Sequence, residues 1–168
     1  SNKTNPGKNG TITIKAKTLW SPSGDSGSKY TAAHGIAVGN FSQRFNKKVS
    51  EDLVKTTINA DVVIEELRGG SIKTTGISSM DCSDLAINGR FTIKPGAISL
   101  MQWNRGDQSK TYGIYMIGSN NTISITSADI DDSKNGSLSD LIKTDESLWG
   151  GKTEKNVLRI GGGTLKVK

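Results

Sequence analysis

The sequence contains one cysteine and one histidine among its 168 residues. The single cysteine, Cys82, excludes an internal disulfide and provides neither a zinc-ligand spacing nor a Cys-x-x-Cys redox pair. A Ser-His-Asp or Cys-His catalytic site would have to use His34, whose neighbours Ala33 and Gly35 do not resemble a nucleophile elbow. We therefore predict a protein that is not an enzyme.

Aromatic residues are also scarce, at 5%, and no apolar run approaches the length needed to cross a membrane. We therefore expect no membrane span. The net charge of +6 reflects 22 Lys and Arg against 16 Asp and Glu, yet there is no Arg-rich run and no interleaving of basic and aromatic residues. Nucleic acid is for this reason not predicted as a partner.

What the sequence does contain is a succession of short alternating apolar and polar segments separated by turn-forming residues. The segment 11–17 alternates strictly, as a half-buried strand does. About nine or ten such strands, with turn signals every 8–12 residues, are typical of a sandwich or jelly roll. No repeat of fixed period is visible. We predict an all-β fold, a single-domain antiparallel β-sandwich or jelly-roll-like domain over residues 11–168, with at most one or two short helical turns. Residues 1–10 are predicted to form a flexible polar arm.

Several local patterns refine this prediction. Asn88-Gly89 lies between two alternating segments and predicts a tight hairpin with a type I′ turn. Residues 111–117 and 122–126 predict a second hairpin. Residues 50–66 are ambiguous, because Ser50 and the acids after it resemble a helix start whereas the β-branched residues that follow resist helix. We predict a helical turn over 50–54, a strand over 56–67 and a further helical turn near 137–143.

The alternating apolar positions are expected to form the core. Those with the clearest spacing are Ile12, Ile14, Leu85, Ile87, Phe91, Ile93, Ile98, Leu100, Ile114, Met116, Ile123 and Ile125.

The segment from Asp129 to Asn135 contains a partial calcium-loop pattern. Asp131, Ser133 and Asn135 alternate and a glycine follows, as in the first half of such a loop. Ile142 stands where that frame requires an acid, and a frame begun at Asp129 has lysine in place of the glycine. Neither frame is complete, so no cofactor is predicted, and calcium at Asp129, Asp131, Ser133 and Asn135 is kept as the alternative to a solvated turn.

Two features suggest a ligand-binding module. Trp20, Trp103 and Trp149 concentrate the few aromatic residues at sites where a ring could stack on a sugar, although tryptophan in a small sandwich is more often part of the core. The tripeptide Arg105-Gly106-Asp107 is an RGD sequence in a turn between two strands. The alternative function is therefore a glycan- or cell-surface-receptor-binding module of adhesin or lectin type.

The two ends of the chain suggest assembly instead. Ile12, Ile14 and Ala16 lie on one face of the first predicted strand, and a glycine-hinged strand closes the chain. End strands can pair with an open sheet edge of a neighbouring subunit, or they can complete their own sheet. The predicted function is a structural subunit of an extracellular filament, surface appendage or virus-like particle that assembles with itself through terminal strands. The predicted location is extracellular, on a cell surface or in a virion.

Overall fold

A computed structural model describes residues 10–17, 32–39, 53–70, 73–100, 110–146 and 152–167. Within these residues every paired strand runs parallel to its neighbour. The prediction of an all-β protein is confirmed, but the antiparallel β-sandwich or jelly roll is wrong. Residues 1–9 of the predicted arm lie outside the described residues, and Gly10 begins the first strand.

The described residues form twelve strands in two sheets. In chain order they are β1 (Gly10–Lys17), β2 (Ala32–Gly39), β3 (Val54–Ile58), β4 (Ala60–Gly70), β5 (Lys73–Met80), β6 (Ser83–Ile93), β7 (Ile98–Leu100), β8 (Lys110–Ile117), β9 (Thr122–Asp131), β10 (Asp140–Asp145), β11 (Val157–Ile160) and β12 (Gly163–Lys166). Sheet A has the order β1-β4-β6-β9-β11, with β12 also on β9, β3 also on β6 and β7 on β4. Sheet B has the order β10-β8-β5-β2.

This order describes a β-solenoid, in which the chain passes alternately through sheet A and sheet B and each turn stacks on the one before. We number the turns of the described chain as coil 1 (β1, β2), coil 2 (β3, β4, β5), coil 3 (β6, β7, β8), coil 4 (β9, β10) and coil 5 (β11, β12). Apolar side chains from both sheets pack into one core between them. Each coil therefore buries its apolar side chains between its own two sheets and against the coils on either side.

Stacking places equivalent residues of successive coils in columns. One column of sheet A is aliphatic throughout, and consists of Ile14, Ile64, Ile93, Ile130 and Leu165. Its middle members are buried. A matching column of sheet B consists of Ile36, Ile77, Ile114 and Ile142. Each fully buried member stabilises the fold by roughly 1.5–3 kcal/mol relative to an exposed side chain.

The spacing of these columns explains why no repeat is visible in the sequence. Successive members of the sheet A column are 50, 29, 37 and 35 residues apart. The strands repeat in space, but the connections between them have unequal lengths. Alternation within a strand is the same for parallel and antiparallel pairing, so it could not indicate the direction of the neighbouring strand.

The predicted hairpin at Asn88-Gly89 is wrong, because β6 is one strand that passes straight through both residues. Its register against β9 shifts between Ile87 and Arg90, so the two residues form an irregularity in a long strand rather than a turn. The Asn88 Nδ2 amide donates to Asn59 Oδ1 at 2.8 Å. The second predicted hairpin is also wrong, since β8 belongs to sheet B and β9 to sheet A.

The strand conformation predicted over residues 56–67 is confirmed, but it is divided at Asn59 into β3 and β4 instead of forming one strand. The predicted helical turn over 50–54 falls mostly outside the described residues, and Val54 already begins a strand. Near 137–143 the prediction of a helical turn is wrong, because β10 begins at Asp140. The connection between β9 and β10 is held by the buried carboxylate of Asp132. This carboxylate accepts hydrogen bonds from Ser137 Oγ at 2.9 Å and from the Leu138 amide at 2.6 Å.

A column of glycines crosses sheet B next to the core. Gly35, Gly76 and Gly113 lie in successive coils, and the column continues to Leu141 in β10. A Cβ atom at Gly76 would lie 2.6 Å from the Gly113 carbonyl oxygen and 3.1 Å from Ile93 Cδ1. Real Cβ atoms do not approach backbone this closely, so the position requires glycine.

Candidate functional site

The N-terminal end of the solenoid exposes a side chain that belongs to a core column. Ile12 is aligned with Val62, Phe91 and Ala128, which are all buried, yet Ile12 is 45% exposed. Among the described strands, β1 pairs only with β4, so its outer edge carries no further strand there. The expectation that Ile12 belongs to the core is wrong for this reason: its side chain points to the core side, but no described coil covers it.

The other two residues of the predicted assembly strand have different surroundings. Ile14 is partly buried and packs against the core, while Ala16 is exposed. Among the described strands, β1 is therefore an edge strand whose apolar face is covered on one side only, and its role in assembly stays a prediction.

The C-terminal end also exposes column members. Leu165 of β12 is 41% exposed and Ile142 of β10 is 43% exposed, although the residues above them in their columns are buried. Within the described chain, β12 pairs only with β9 and β10 only with β8. Both ends thus present aliphatic side chains beside strand edges, which is where a further strand could add.

A ladder of alternating charges runs along the outer side of sheet A, with one residue in each coil. Its members directly follow those of the aliphatic column in the sequence, and are Lys15, Glu65, Lys94, Asp131 and Lys166. A bulge after Ile14 aligns Lys15 with Glu66, the second of two adjacent acids. The Lys94 ammonium lies 2.8 Å from Glu65 Oε1, and the hydrogen bond and charge of Lys94 lower the pKa of Glu65, with a smaller contribution from Lys15. Both ends of the ladder are lysines, so a strand that continued it at either end would face a positive charge.

The four candidate calcium ligands lie on β9 and in the connection that follows it. Asp129 accepts hydrogen bonds from Arg90 Nη1 at 2.8 Å and from the Thr164 amide at 3.2 Å. Asp131 accepts from the amide of Ser133 at 3.2 Å and from its hydroxyl, and these bonds, more than the nearby lysines, lower the pKa of Asp131.

Protein donors thus already reach both of these carboxylates. The two carboxylates line an open groove of about 260 Å³ with Pro95 and Thr164, whereas Asn135 lies beside Gly96, its Nδ2 3.2 Å from where a Cβ on that glycine would stand. In the described part of the chain no three His, Cys, Asp or Glu side chains are grouped to hold a metal ion. Calcium binding stays a prediction.

Sheet B carries a polar network on the side facing away from the main core. Tyr112 and Tyr115 are stacked with ring centroids 5.5 Å apart and belong to a separate small apolar cluster. Lys73 Nζ donates to the Tyr115 hydroxyl at 2.6 Å, and that hydroxyl donates to Asp145 Oδ2 at 3.0 Å. Burial lowers the pKa of Lys73, whereas burial and the hydrogen bond to Asp145 raise the pKa of Tyr115.

His34 belongs to the same face. Its Nδ1 lies 2.7 Å from Ser78 Oγ and 2.8 Å from Thr75 Oγ1, and the two hydroxyls are 2.6 Å apart. Burial, with the nearby charge of Lys73, lowers the pKa of His34. Ser78 and Thr75 are fully buried, so in this structure neither hydroxyl is accessible to a substrate. We interpret the network as a structural element that connects coils 1 to 4.

A second network lies where the chain turns from sheet B back to sheet A. The buried Asn121 accepts from Ser83 Oγ at 2.9 Å and donates to the Ile117 carbonyl at 2.9 Å and to Asn156 Oδ1 at 3.0 Å. Asn156 in turn donates to the Gly118 carbonyl at 2.8 Å. These side chains connect the turns of coils 3, 4 and 5 and donate to two carbonyls of the turn, of which that of Ile117 also accepts from the Asp81 amide at 3.0 Å.

The ligand-binding prediction depends on residues that the structure does not describe. These are Trp20, Trp103, Trp149, Arg105, Gly106 and Asp107. A glycan- or receptor-binding role therefore stays a prediction. Among the described residues there is no helix long and apolar enough to span a membrane.

Sequence reasoning missed the charge ladder and both polar networks, because members in neighbouring coils are 29 or more residues apart and only the coil stacking brings them together. A regular repeat in the sequence would have aligned these residues with each other. The connections between strands have unequal lengths, so the sequence has no such repeat. No family model, no curated protein and no solved structure matches this chain.

Proposed function

We propose that this protein is a non-enzymatic structural subunit that assembles with itself through its terminal β-strands. The observation that supports this proposal best is Ile12, a member of a core column that is 45% exposed on a strand whose outer edge carries no other described strand. The extracellular filament, surface appendage or virus-like particle predicted from the sequence is the proposed setting.

Two physical properties favour this role. An edge strand offers unpaired backbone groups as well as apolar side chains, and parallel solenoids do not remove their edges by closing on themselves. Covering the exposed part of one such side chain contributes roughly 1 kcal/mol, so a stable contact requires the side chain and the backbone edge together. The chain offers both in β1.

The proposal is tested by mass in solution. Light scattering on the full chain over a series of concentrations should show more than one chain per particle, and Ile12→Lys should lower the mass to that of one chain. Lysine on an edge strand opposes pairing, and Ile12 is exposed enough for the fold to accept it. Leu53→Lys is the control, since Leu53 is 52% exposed in coil 2, outside coil 1. If the unchanged protein is a monomer at every concentration, self-assembly is wrong.

A further inference from the structure

The two ends of the solenoid are not equivalent partners for each other. In a continuous head-to-tail stack, β10 of one copy would be followed by β2 of the next, and β12 by β1. The aliphatic columns would continue, since Leu165 would meet Ile14 and Ile142 would meet Ile36. The glycine column of sheet B and the charge ladder of sheet A would not continue in this way.

The first obstacle is the glycine column of sheet B. At Gly35, Gly76 and Gly113, a Cβ atom would lie 2.6–2.8 Å from the carbonyl oxygen of the following coil. Leu141 occupies the same column in β10 and does carry a Cβ. A second copy stacked in register would bring its Gly35 carbonyl to that atom, at a separation that backbone does not allow. Leu141 is tolerated because no further described strand of sheet B follows β10.

The second obstacle is the charge ladder. In the same stack, Lys166 of one copy would lie opposite Lys15 of the next. Within the molecule, by contrast, Lys15 is aligned with the acid Glu66, Lys94 pairs with Glu65, and Lys166 is aligned with Asp131. Like charges directly opposite each other on adjacent strands are destabilising. Sterics in sheet B and charge in sheet A thus disfavour the same arrangement.

The N-terminal edge has neither obstacle when it meets a copy of itself. Two β1 strands can pair antiparallel about a two-fold axis through Thr13. Ile12 then lies opposite Ile14 of the second copy, and Lys15 lies opposite Thr11, so no two lysines face each other. Such a contact is self-complementary, which is the requirement for a closed two-fold dimer.

We propose that two copies of this chain pair head to head through β1, and that Leu141 and Lys166 prevent the C-terminal end from extending the pair into a continuous stack. This inference rests on the proposed function. It restricts that function to a closed dimer as the unit of assembly.

Cysteine cross-linking tests the polarity of the contact. Thr13 of β1 and Thr164 of β12 occupy the same outward column, at opposite ends of the solenoid. Under mild oxidation, Thr13→Cys alone should form a covalent dimer, because residues at the centre of a two-fold strand pair have Cβ atoms about 4.5–5.5 Å apart. Thr164→Cys alone should not. The native Cys82 is buried and is common to all samples.

Light scattering complements the cross-linking. We expect the mass to reach a plateau at two chains, Ile12→Lys to weaken dimerisation by roughly tenfold or more, and Leu165→Lys to leave it unchanged. If only a mixture of the Thr13→Cys and Thr164→Cys proteins cross-links, or the mass grows steadily with concentration, the head-to-head dimer is wrong but self-assembly stands. If all these proteins remain monomers, the proposed function fails as well.

Discussion

Asn121 is the side chain whose removal should show most clearly how the coils are held together. It is fully buried at the turn into sheet A. Replacing it with alanine removes the acceptor of the Ser83 hydroxyl and the donor to the Ile117 carbonyl. It also removes the donor to Asn156, so that three neighbouring groups lose a partner at once.

The magnitude follows from burial. A buried polar group left without a partner costs about 1–3 kcal/mol, and this applies to the buried Ser83 hydroxyl. The Ile117 carbonyl keeps the Asp81 amide as a donor at 3.0 Å, and Asn156 Oδ1 keeps the backbone amide of residue 121 at 3.1 Å. The Ser83 hydroxyl, together with the small cavity left by the amide, gives an expected loss of roughly 2–4 kcal/mol in the free energy of unfolding. That is a large fraction of the 5–15 kcal/mol typical of a domain.

Urea unfolding followed by circular dichroism measures this loss. The matched control is Asn88→Ala, which removes an amide that donates at 2.8 Å to Asn59 in an exposed setting and should change stability by less than about 0.5 kcal/mol. Equal losses in the free energy of unfolding for the two substitutions would refute the argument, because burial would then not determine how much the Asn121 hydrogen bonds contribute to stability.

Two further predictions concern sheet B. Gly76→Ala should lower the free energy of unfolding by about 2–3 kcal/mol, because its Cβ would lie 2.6 Å from the Gly113 carbonyl oxygen. Gly162→Ala is the control and should have little effect, since a Cβ there would meet no atom within 4 Å. Urea unfolding measures the stability of both variants. Since the pKa of His34 is lowered in the folded state, the unfolded chain binds more protons below the ordinary histidine pKa of about 6.5, so stability should fall as pH drops from 7 to 5. His34→Gln should flatten this part of the stability profile, and a slope unchanged by that substitution would contradict the assignment.

The sequence predicted the strands well because each strand carries its own alternation. The segments at 11–17 and 111–117 are strands as the pattern predicted, and Leu85, Phe91 and Ile123 are buried as expected. The alternation shows which face of a strand is apolar, and this relation holds for both parallel and antiparallel sheets.

The arrangement of the strands was not predictable in the same way. Asn88-Gly89 has the residues of a tight turn, but here Gly89 serves a close approach to the Ala60 backbone within a continuous strand. The local preference for a hairpin was overridden by the parallel neighbours on either side, which leave no room for a reversal. In the candidate assembly strand, Ile12 fits the alternation of core residues, yet its side chain is 45% exposed. Exposure depends on whether a neighbouring coil covers the side chain, which the alternation does not show.

The stacking of the coils also bears on how the chain folds during synthesis. Ile14 leaves the ribosome 50 residues before Ile64, its first neighbour in the column, so β1 waits longer for a partner than any later strand of the column. Each later coil then stacks on the C-terminal side of the coil that was synthesised before it. Among the described strands, chain growth never reaches the outer edge of β1. If two copies pair head to head as proposed above, β1 of one copy gains its second neighbouring strand only from the other copy, after both chains have folded.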